Sequence, residues 1–219
     1  MDKNIIASMI DHAVLRPDAT DDELKRECAV AIEYKVATVC VKPSHVREAR
    51  KLLEGTGVGV STVIGFPHGS TTTACKAAEA AEAVENGASE LDMVINIGKL
   101  LSGDLQYVKD DIGKVARTAH AGGALLKVII ETSLLNDTQK ALVCRLAEEE
   151  GADFVKTSTG FNGGGAAIKD INIMKSSVSE KMGIKASGGI KTFEQGEELV
   201  KAGCTRLGTS ATEKILGNR

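Results

Sequence analysis

Two lysines in otherwise apolar segments are the residues of this chain best suited to covalent chemistry. Lys156 lies in "FVKTS" and Lys185 in "GIKAS", at equivalent points of two successive strand-like runs. Two partly desolvated ammonium groups close together disfavour each other's protonation, so one of them can be a neutral amine that forms a Schiff base. The pattern leaves open which one is neutral. The alternative is that each side chain extends to solvent and pairs with Asp92 or Glu131.

Asp92, in "SELDMVINIG", is the carboxylate best placed to serve these lysines. It stands between Leu91 and Met93, so it too is a charge within an apolar strand. Such a carboxylate can hold two lysines in place, or move protons to and from carbon through a water. A purely structural ion pair is the alternative for Asp92, and a structural role is the favoured interpretation for Glu90 and Glu131.

Glycine-rich turns follow the last strand-like runs. "ASGGIKT" (186–192) and "GTSATEK" (208–214) each lead straight into a helical pattern, and "STG" follows Lys156. Backbone N–H groups in such turns bind phosphate, although a plain tight turn is the alternative. "FNGGGAA" (161–167) is a further glycine-rich loop, which we expect to lie over the site.

Other site chemistries receive little support. The histidines (12, 45, 68 and 120) show no metal-ligand spacing, and although His12 and His68 could approach each other, no third ligand is evident. The cysteines (28, 40, 75, 144 and 204) contain no CxxC pair and are typical of reduced thiols. We interpret Cys40 as a small buried residue near the site rather than a nucleophile. We therefore expect neither a metal nor another cofactor.

Composition excludes several classes of partner. The chain has 219 residues, is 42% hydrophobic and 26% charged, and carries a net charge of −3 with a pI of about 5.9. This balance lacks the basic footprint of nucleic-acid binding. No 18-residue apolar run and no signal peptide occur, so we expect no membrane association and a cytoplasmic location.

Strand-like and helical segments alternate along the whole chain. The candidate strands span 8–15, 36–41, 58–65, 90–96, 125–131, 153–158, 184–188 and 206–210. The candidate helices begin near Asp21, Ser44, Thr72, Leu105, Asn136, Ala166 and Thr192, and a short one follows Ser210. Eight such units predict a single-domain (β/α)8 TIM barrel over residues 1–219, whose chemistry lies at the carboxyl ends of the strands. A doubly wound open sheet is the competing fold, disfavoured by the strand count and the lack of an early GxGxxG.

Several segments together resemble the deoxyribose-phosphate aldolases, which are cytosolic class I aldolases with the barrel fold. The resemblance runs from about residue 8 to 211 and rests on "DHAVL", "VCVKP", "VIGFPHG", "GASELDMVINIG", "KVIIETSLL", "GADFVKTSTGF", "GIKASGGI" and "RLGTSA". It implies reversible cleavage of 2-deoxy-D-ribose 5-phosphate to acetaldehyde and D-glyceraldehyde 3-phosphate, without a cofactor. It also implies that the chain can assemble as a homodimer. Another Schiff-base sugar-phosphate aldolase or a transaldolase is the alternative, and a non-catalytic sugar-phosphate sensor is disfavoured by the lysine pair.

The same resemblance assigns roles to individual residues. Lys156 matches the Schiff-base lysine, Lys185 the lysine that perturbs it, and Asp92 the acid/base carboxylate that works through a water. Positions lining the substrate pocket match Asp11, Leu15, Cys40 and Thr157, and the phosphate groove matches Gly160, Gly188, Gly189, Thr209 and Ser210. The chain departs from the family pattern at Ala13, where a hydroxyl residue is usual, and in "ILGNR", which lacks a terminal tyrosine. We expect both departures to leave the core mechanism intact.

Overall fold

The alternating segments form a closed barrel of eight parallel strands surrounded by helices. The computed structural model describes residues 1–217, so the last two residues of the predicted domain lie outside the described part. Each strand pairs with the next in chain order, and β8 pairs with β1 to close the sheet. The predicted (β/α)8 barrel is confirmed, and the open-sheet alternative is wrong.

The strands are three to six residues long and the helices five to seventeen. The strands are β1 (Ile10–Val14), β2 (Thr38–Val41), β3 (Gly59–Ile64), β4 (Glu90–Val94), β5 (Leu125–Ile129), β6 (Phe154–Lys156), β7 (Gly183–Ser187) and β8 (Arg206–Thr209). The helices are α1 (Lys3–Ala7), α2 (Asp21–Tyr34), α3 (Val46–Leu52), α4 (Thr73–Glu85), α5 (Ile97–Leu101), α6 (Leu105–Ala121), α7 (Asp137–Glu149), α8 (Ile168–Ser177), α9 (Phe193–Ala202) and α10 (Thr212–Leu216). Within residues 1–217, no helix combines the length and the apolar character that a membrane crossing requires.

Capping side chains explain where several helices begin. The Thr20 hydroxyl accepts a hydrogen bond from the Glu23 amide. Asn136 forms a reciprocal capping box with Gln139. The same chemistry starts α5, which the sequence analysis missed, because the Asn96 side chain accepts from the Lys99 amide. In each of these three helices, a polar capping side chain thus fixes the first helical residue.

Several boundaries differ from those predicted, and two of the differences arise at the same end of the barrel. β6 ends at Lys156, and the side chain of the next residue, Thr157, is hydrogen-bonded to the backbone of Ser187. The helix expected near Ala166 begins at Ile168 instead, since the Ala166 amide donates 3.1 Å to the Gly188 carbonyl. The chain between β6 and α8 is therefore an extended loop packed on the turn after β7.

Alternation along each strand separates an apolar outer layer from a charged interior. In β4, Leu91 and Met93 belong to the buried hydrophobic core between sheet and helices, while Asp92 contacts lysines of three other strands. His12 is on the outer side, since its ring nitrogens contact Thr212 of α10 and Glu27 of α2. His12 thus lies outside the charged interior of the barrel.

Candidate active site

Seven charged side chains meet inside the barrel. They come from six strands and are Asp11 (β1), Glu90 and Asp92 (β4), Lys127 (β5), Lys156 (β6), Lys185 (β7) and Arg206 (β8). All but Arg206 are buried, and the Arg206 side chain is 14% exposed. Burying so many charges is costly unless they are paired. The parallel register places Asp92 beside Lys127, and the other cation–carboxylate pairs form across the barrel interior.

Lys156 and Lys185 share one carboxylate oxygen. The Lys156 Nζ lies 2.6 Å from Asp92 Oδ2, and the Lys185 Nζ lies 2.7 Å from the same atom. The two nitrogens are therefore at most about 5.3 Å apart, which is close enough for strong coupling. Lys185 also pairs with Asp11. Since both side chains point into the barrel with 3% and 1% exposure, the alternative that they extend to bulk solvent is wrong.

A second layer of charges lies below this trio, and the sequence analysis missed it. The Lys127 Nζ donates 2.8 Å to Asp92 Oδ1 and also pairs with Glu90. The Arg206 guanidinium bridges Asp11 and Glu90, at 2.7 Å from each. Lys127 carried the same signal as Lys156, a lysine between apolar residues of a strand, whereas Arg206 occupies the first position of its strand and offered no such signal.

The charge balance of the cluster favours one neutral lysine. Four basic side chains face three carboxylates among the seven residues. Burial and the ammonium of Lys185 lower the pKa of Lys156, against the opposing charge of Asp92. Burial also disfavours the charged form of Lys185, but Asp11 and Asp92 outweigh it and raise the pKa of Lys185. The cluster thus shifts the two pKa values in opposite directions, and Lys156 is the lysine of the pair that more readily loses its proton.

The two aspartates at the centre are held in their ionised form. Burial disfavours the charge on Asp92, yet Lys127, Lys156 and Lys185 together keep its pKa well below the usual range. The pKa of Asp11 is lowered in the same way, because nearby cations outweigh its burial. Asp92 therefore holds the lysines in place, and its hydrogen bonds occupy both of its oxygens.

A cavity of about 310 Å³ opens above the lysines at the carboxyl ends of the strands. Of the residues predicted for substrate and phosphate, those on its wall are Asp11, Leu15, Cys40, Gly160, Gly188, Gly189, Thr209 and Ser210. Lys156 and Lys185 form its floor, with Asp92 buried beneath them. Thr157 was predicted to line the pocket, but the structure does not place it on the wall. Its hydroxyl is fully buried and joins β6 to β7 through the Ser187 backbone.

The wall on the β7–β8 side is built from glycine turns with a basic rim. Gly188 and Gly189 adopt φ values of +90° and +77°, a conformation that side chains rarely allow. The Thr209 hydroxyl is engaged with backbone, since it donates to the Ile190 carbonyl and accepts from the Ala211 amide. Exposed basic side chains that also line this cavity are Arg16, Lys191 and Lys214. Backbone amides in glycine turns and nearby cations suit an anionic group such as phosphate.

Cys40 lies on the cavity wall as a neutral thiol. Burial raises the pKa of this thiol, and Asp92 adds to the effect. An ionised, nucleophilic form is therefore disfavoured, in agreement with its interpretation as a small buried residue. Among residues 1–217, no group of three or more His, Cys, Asp or Glu side chains is arranged to hold a metal ion.

Comparisons with known proteins match this architecture over the full length of the chain. The family model described as "DeoC/LacD family aldolase" matches residues 5–207. A deoxyribose-phosphate aldolase of Clostridium kluyveri is 48% identical over 219 residues, which is 100% of both chains. One from Thermococcus kodakarensis is 50% identical over 218 residues, covering 99% of this chain and 97% of the relative. The tetrameric structure of the enzyme from Aeropyrum pernix superposes with a TM-score of 0.92 at 33% identity, covering 98% of this chain and 91% of that one.

Proposed function

The chain belongs to the DeoC/LacD family of aldolases, and we propose that it cleaves 2-deoxy-D-ribose 5-phosphate reversibly through a Schiff base on Lys156. The products are acetaldehyde and D-glyceraldehyde 3-phosphate. The observation that carries the proposal is the buried amine of Lys156, which shares Asp92 Oδ2 with Lys185 on the floor of an anion-compatible cavity. The names of the full-length relatives support the choice of substrate.

The reaction begins with the neutral form of Lys156. Its nitrogen attacks C1 of the open-chain sugar, and loss of water gives an iminium ion. The iminium accepts the electron pair of the C2–C3 bond as that bond breaks, while the C3 hydroxyl loses its proton. Glyceraldehyde 3-phosphate leaves, and an enamine remains on the lysine. Protonation at C2 and hydrolysis then release acetaldehyde and restore the amine.

Lys185 and Asp92 serve the proton transfers. Lys185 is held as an ammonium by two carboxylates, so it can donate a proton to the departing water or to C2 of the enamine. Once the Lys156 nitrogen is bound to carbon, Asp92 Oδ2 loses its contact with that nitrogen. This frees a lone pair of Asp92 for a water that relays protons. In the proposed mechanism, the carboxylate that organises the resting site also acts during turnover.

The phosphate end of the substrate occupies the glycine turns. Gly188, Gly189 and Ser210 line the wall on the β7–β8 side, and Gly160 faces them from the loop after β6. Placing phosphate there leaves the aldehyde end free to reach Lys156 at the floor. Binding energy from the remote phosphate then orients the carbonyl for attack.

Trapping tests the proposal directly. Incubation with acetaldehyde and borohydride should leave a reduced two-carbon adduct on the peptide containing Lys156, located by mass spectrometry. Lys156→Met should abolish both the adduct and turnover, whereas Lys109→Met, a matched change on the outer helix α6, should alter neither. An adduct confined to other lysines, or full activity in Lys156→Met, would refute the assignment.

Donor competition tests the alternative, which is another Schiff-base sugar-phosphate aldolase or a transaldolase. The proposed activity is distinguished by its use of acetaldehyde as the donor. Unchanged activity in EDTA is the expectation for a metal-independent reaction, and loss of activity that zinc restores would contradict it.

The homodimer and the cytoplasmic location remain proposals. Light scattering decides the former, with the tetramer of the Aeropyrum pernix relative as the competing outcome.

A further inference from the structure

Glu131 is a fully buried carboxylate held entirely by neutral donors. It follows β5, has no exposed surface, and pairs with no cation among residues 1–217. Its oxygens accept from the Thr159 amide at 3.2 and 3.3 Å, from the Thr159 hydroxyl at 2.5 Å and from the Asn162 side-chain amide at 2.9 Å. A buried carboxylate without a cation is costly, and these four hydrogen bonds offset that cost by satisfying the Glu131 oxygens.

All of those donors belong to one loop, residues 159–166, which we call the strap. Its far end rests on the turn after β7, where the Ala166 amide donates 3.1 Å to the Gly188 carbonyl. The packing there is tight, because a Cβ on Gly165 would lie 2.5 Å from the same carbonyl oxygen. The shape of the strap and the shape of the Gly188 turn are therefore coupled.

The middle of the strap reaches the loop that follows β3. The Asn162 side chain donates to the Pro67 carbonyl at 3.3 Å as well as to Glu131. The Phe161 ring meets the Phe66 ring edge to face, with centroids 5.2 Å apart. The Phe161 amide donates to the Thr159 hydroxyl, which in turn donates to Glu131. A continuous chain of hydrogen bonds thus runs from the buried carboxylate to the exposed aromatic residue.

We propose that Glu131 is a positioning residue for the phosphate end of the substrate. It fixes the strap so that Gly160 and Phe161 form one wall of the cavity and the Gly188 turn, on which the strap rests, keeps its binding shape. This inference rests on the proposed function, because it takes the anion in the glycine turns to be the sugar phosphate. Glu131 lies outside the lysine cluster, so the chemistry at Lys156 does not depend on it.

The test perturbs the contact from the loop side, where folding is least at risk. Asn162→Asp keeps the size of the side chain and replaces the donor facing Glu131 with a second carboxylate. The double variant Glu131→Gln/Asn162→Asp restores the hydrogen bond in reverse, with the amide at position 131 as donor and the carboxylate at position 162 as acceptor. Glu85→Gln, an exposed glutamate on α4, is the matched control. Readouts are hydrogen exchange of the strap amides and steady-state kinetics with deoxyribose 5-phosphate and with unphosphorylated deoxyribose.

In Asn162→Asp we expect strap amides to exchange at least about tenfold faster, and KM for the sugar phosphate to rise about tenfold. The kcat value and the KM for unphosphorylated deoxyribose should change less than about twofold, and the double variant should recover most of both losses. Unchanged exchange and KM in Asn162→Asp would overturn the inference, as would an equal rise in KM for both sugars. A wild-type chain that forms no adduct on Lys156 would refute the proposed function instead, while the exchange comparison still decides whether Glu131 holds the strap.

Discussion

Replacing Lys185 with methionine should raise the pKa of Lys156 and shift Schiff-base formation to higher pH. Both nitrogens contact Asp92 Oδ2, at 2.6 and 2.7 Å, so their separation is at most about 5.3 Å. At an effective dielectric constant of about 20, two unit charges at this distance repel by about 3 kcal/mol, or about two pKa units. A shorter separation would increase the shift. Removing Lys185 also leaves the Asp92 charge shared among fewer cations, which further raises the pKa of Lys156.

The measurement is the initial rate of acetaldehyde trapping on Lys156 in borohydride, followed as a function of pH by mass spectrometry. The rate reports the neutral amine, so its acid limb marks the pKa of Lys156. This limb should move up by about two units in Lys185→Met, which lowers the trapping rate about a hundredfold at a pH below both midpoints. Trapping does not require carbon–carbon cleavage, so it can be measured even where turnover is lost.

Lys185→Arg serves as the control, since it keeps the positive charge and should leave the limb within about half a unit of wild type. Far-UV circular dichroism and thermal melting verify that both variants fold. An acid limb that stays in place in Lys185→Met, or that moves to lower pH, would refute the electrostatic coupling of the two lysines. Burial alone would then account for the lowered pKa of Lys156.

Two further predictions concern groups away from the amine. Lys76→Met should lower the free energy of unfolding by about 3–5 kcal/mol, which calorimetry would record as a fall of about 6–20 °C in Tm. The reason is that the variant leaves Asp111 buried without its cation and the Val94 carbonyl without its 2.9 Å donor. Lys76→Met/Asp111→Leu should recover most of the loss, and an unchanged Tm in the single variant would contradict the reasoning. Cys40→Ser should keep kcat/KM within about fivefold, and iodoacetamide at pH 7 should modify exposed Cys75 well before Cys40, whose pKa burial raises. Loss of turnover in Cys40→Ser, or faster labelling of Cys40, would indicate a reactive thiol.

The sequence by itself determined the architecture and the central pair of lysines. Hydrophobic periodicity and capping residues are local properties, so the eight βα units could be recognised without tertiary information, and with them the closed barrel. Because strands β6 and β7 are consecutive, Lys156 and Lys185 were expected side by side, and the register pairs them directly. Asp92 was identifiable for the same reason, as a charge between two apolar residues of a strand.

Contacts across the barrel were decided only by the tertiary structure. Closure brings Arg206 of β8 against Glu90 of β4, and that contact depends on strand stagger rather than on any local pattern. The charges that lower the pKa of Lys156 and raise that of Lys185 could therefore be identified only from the fold, as could the hydrogen-bond partners of Glu131. Thr157 shows the same limit at smaller scale, since its side chain turns from the cavity to the Ser187 backbone where β6 ends. Local sequence sets which residues are inside, and three-dimensional closure sets which charges they meet.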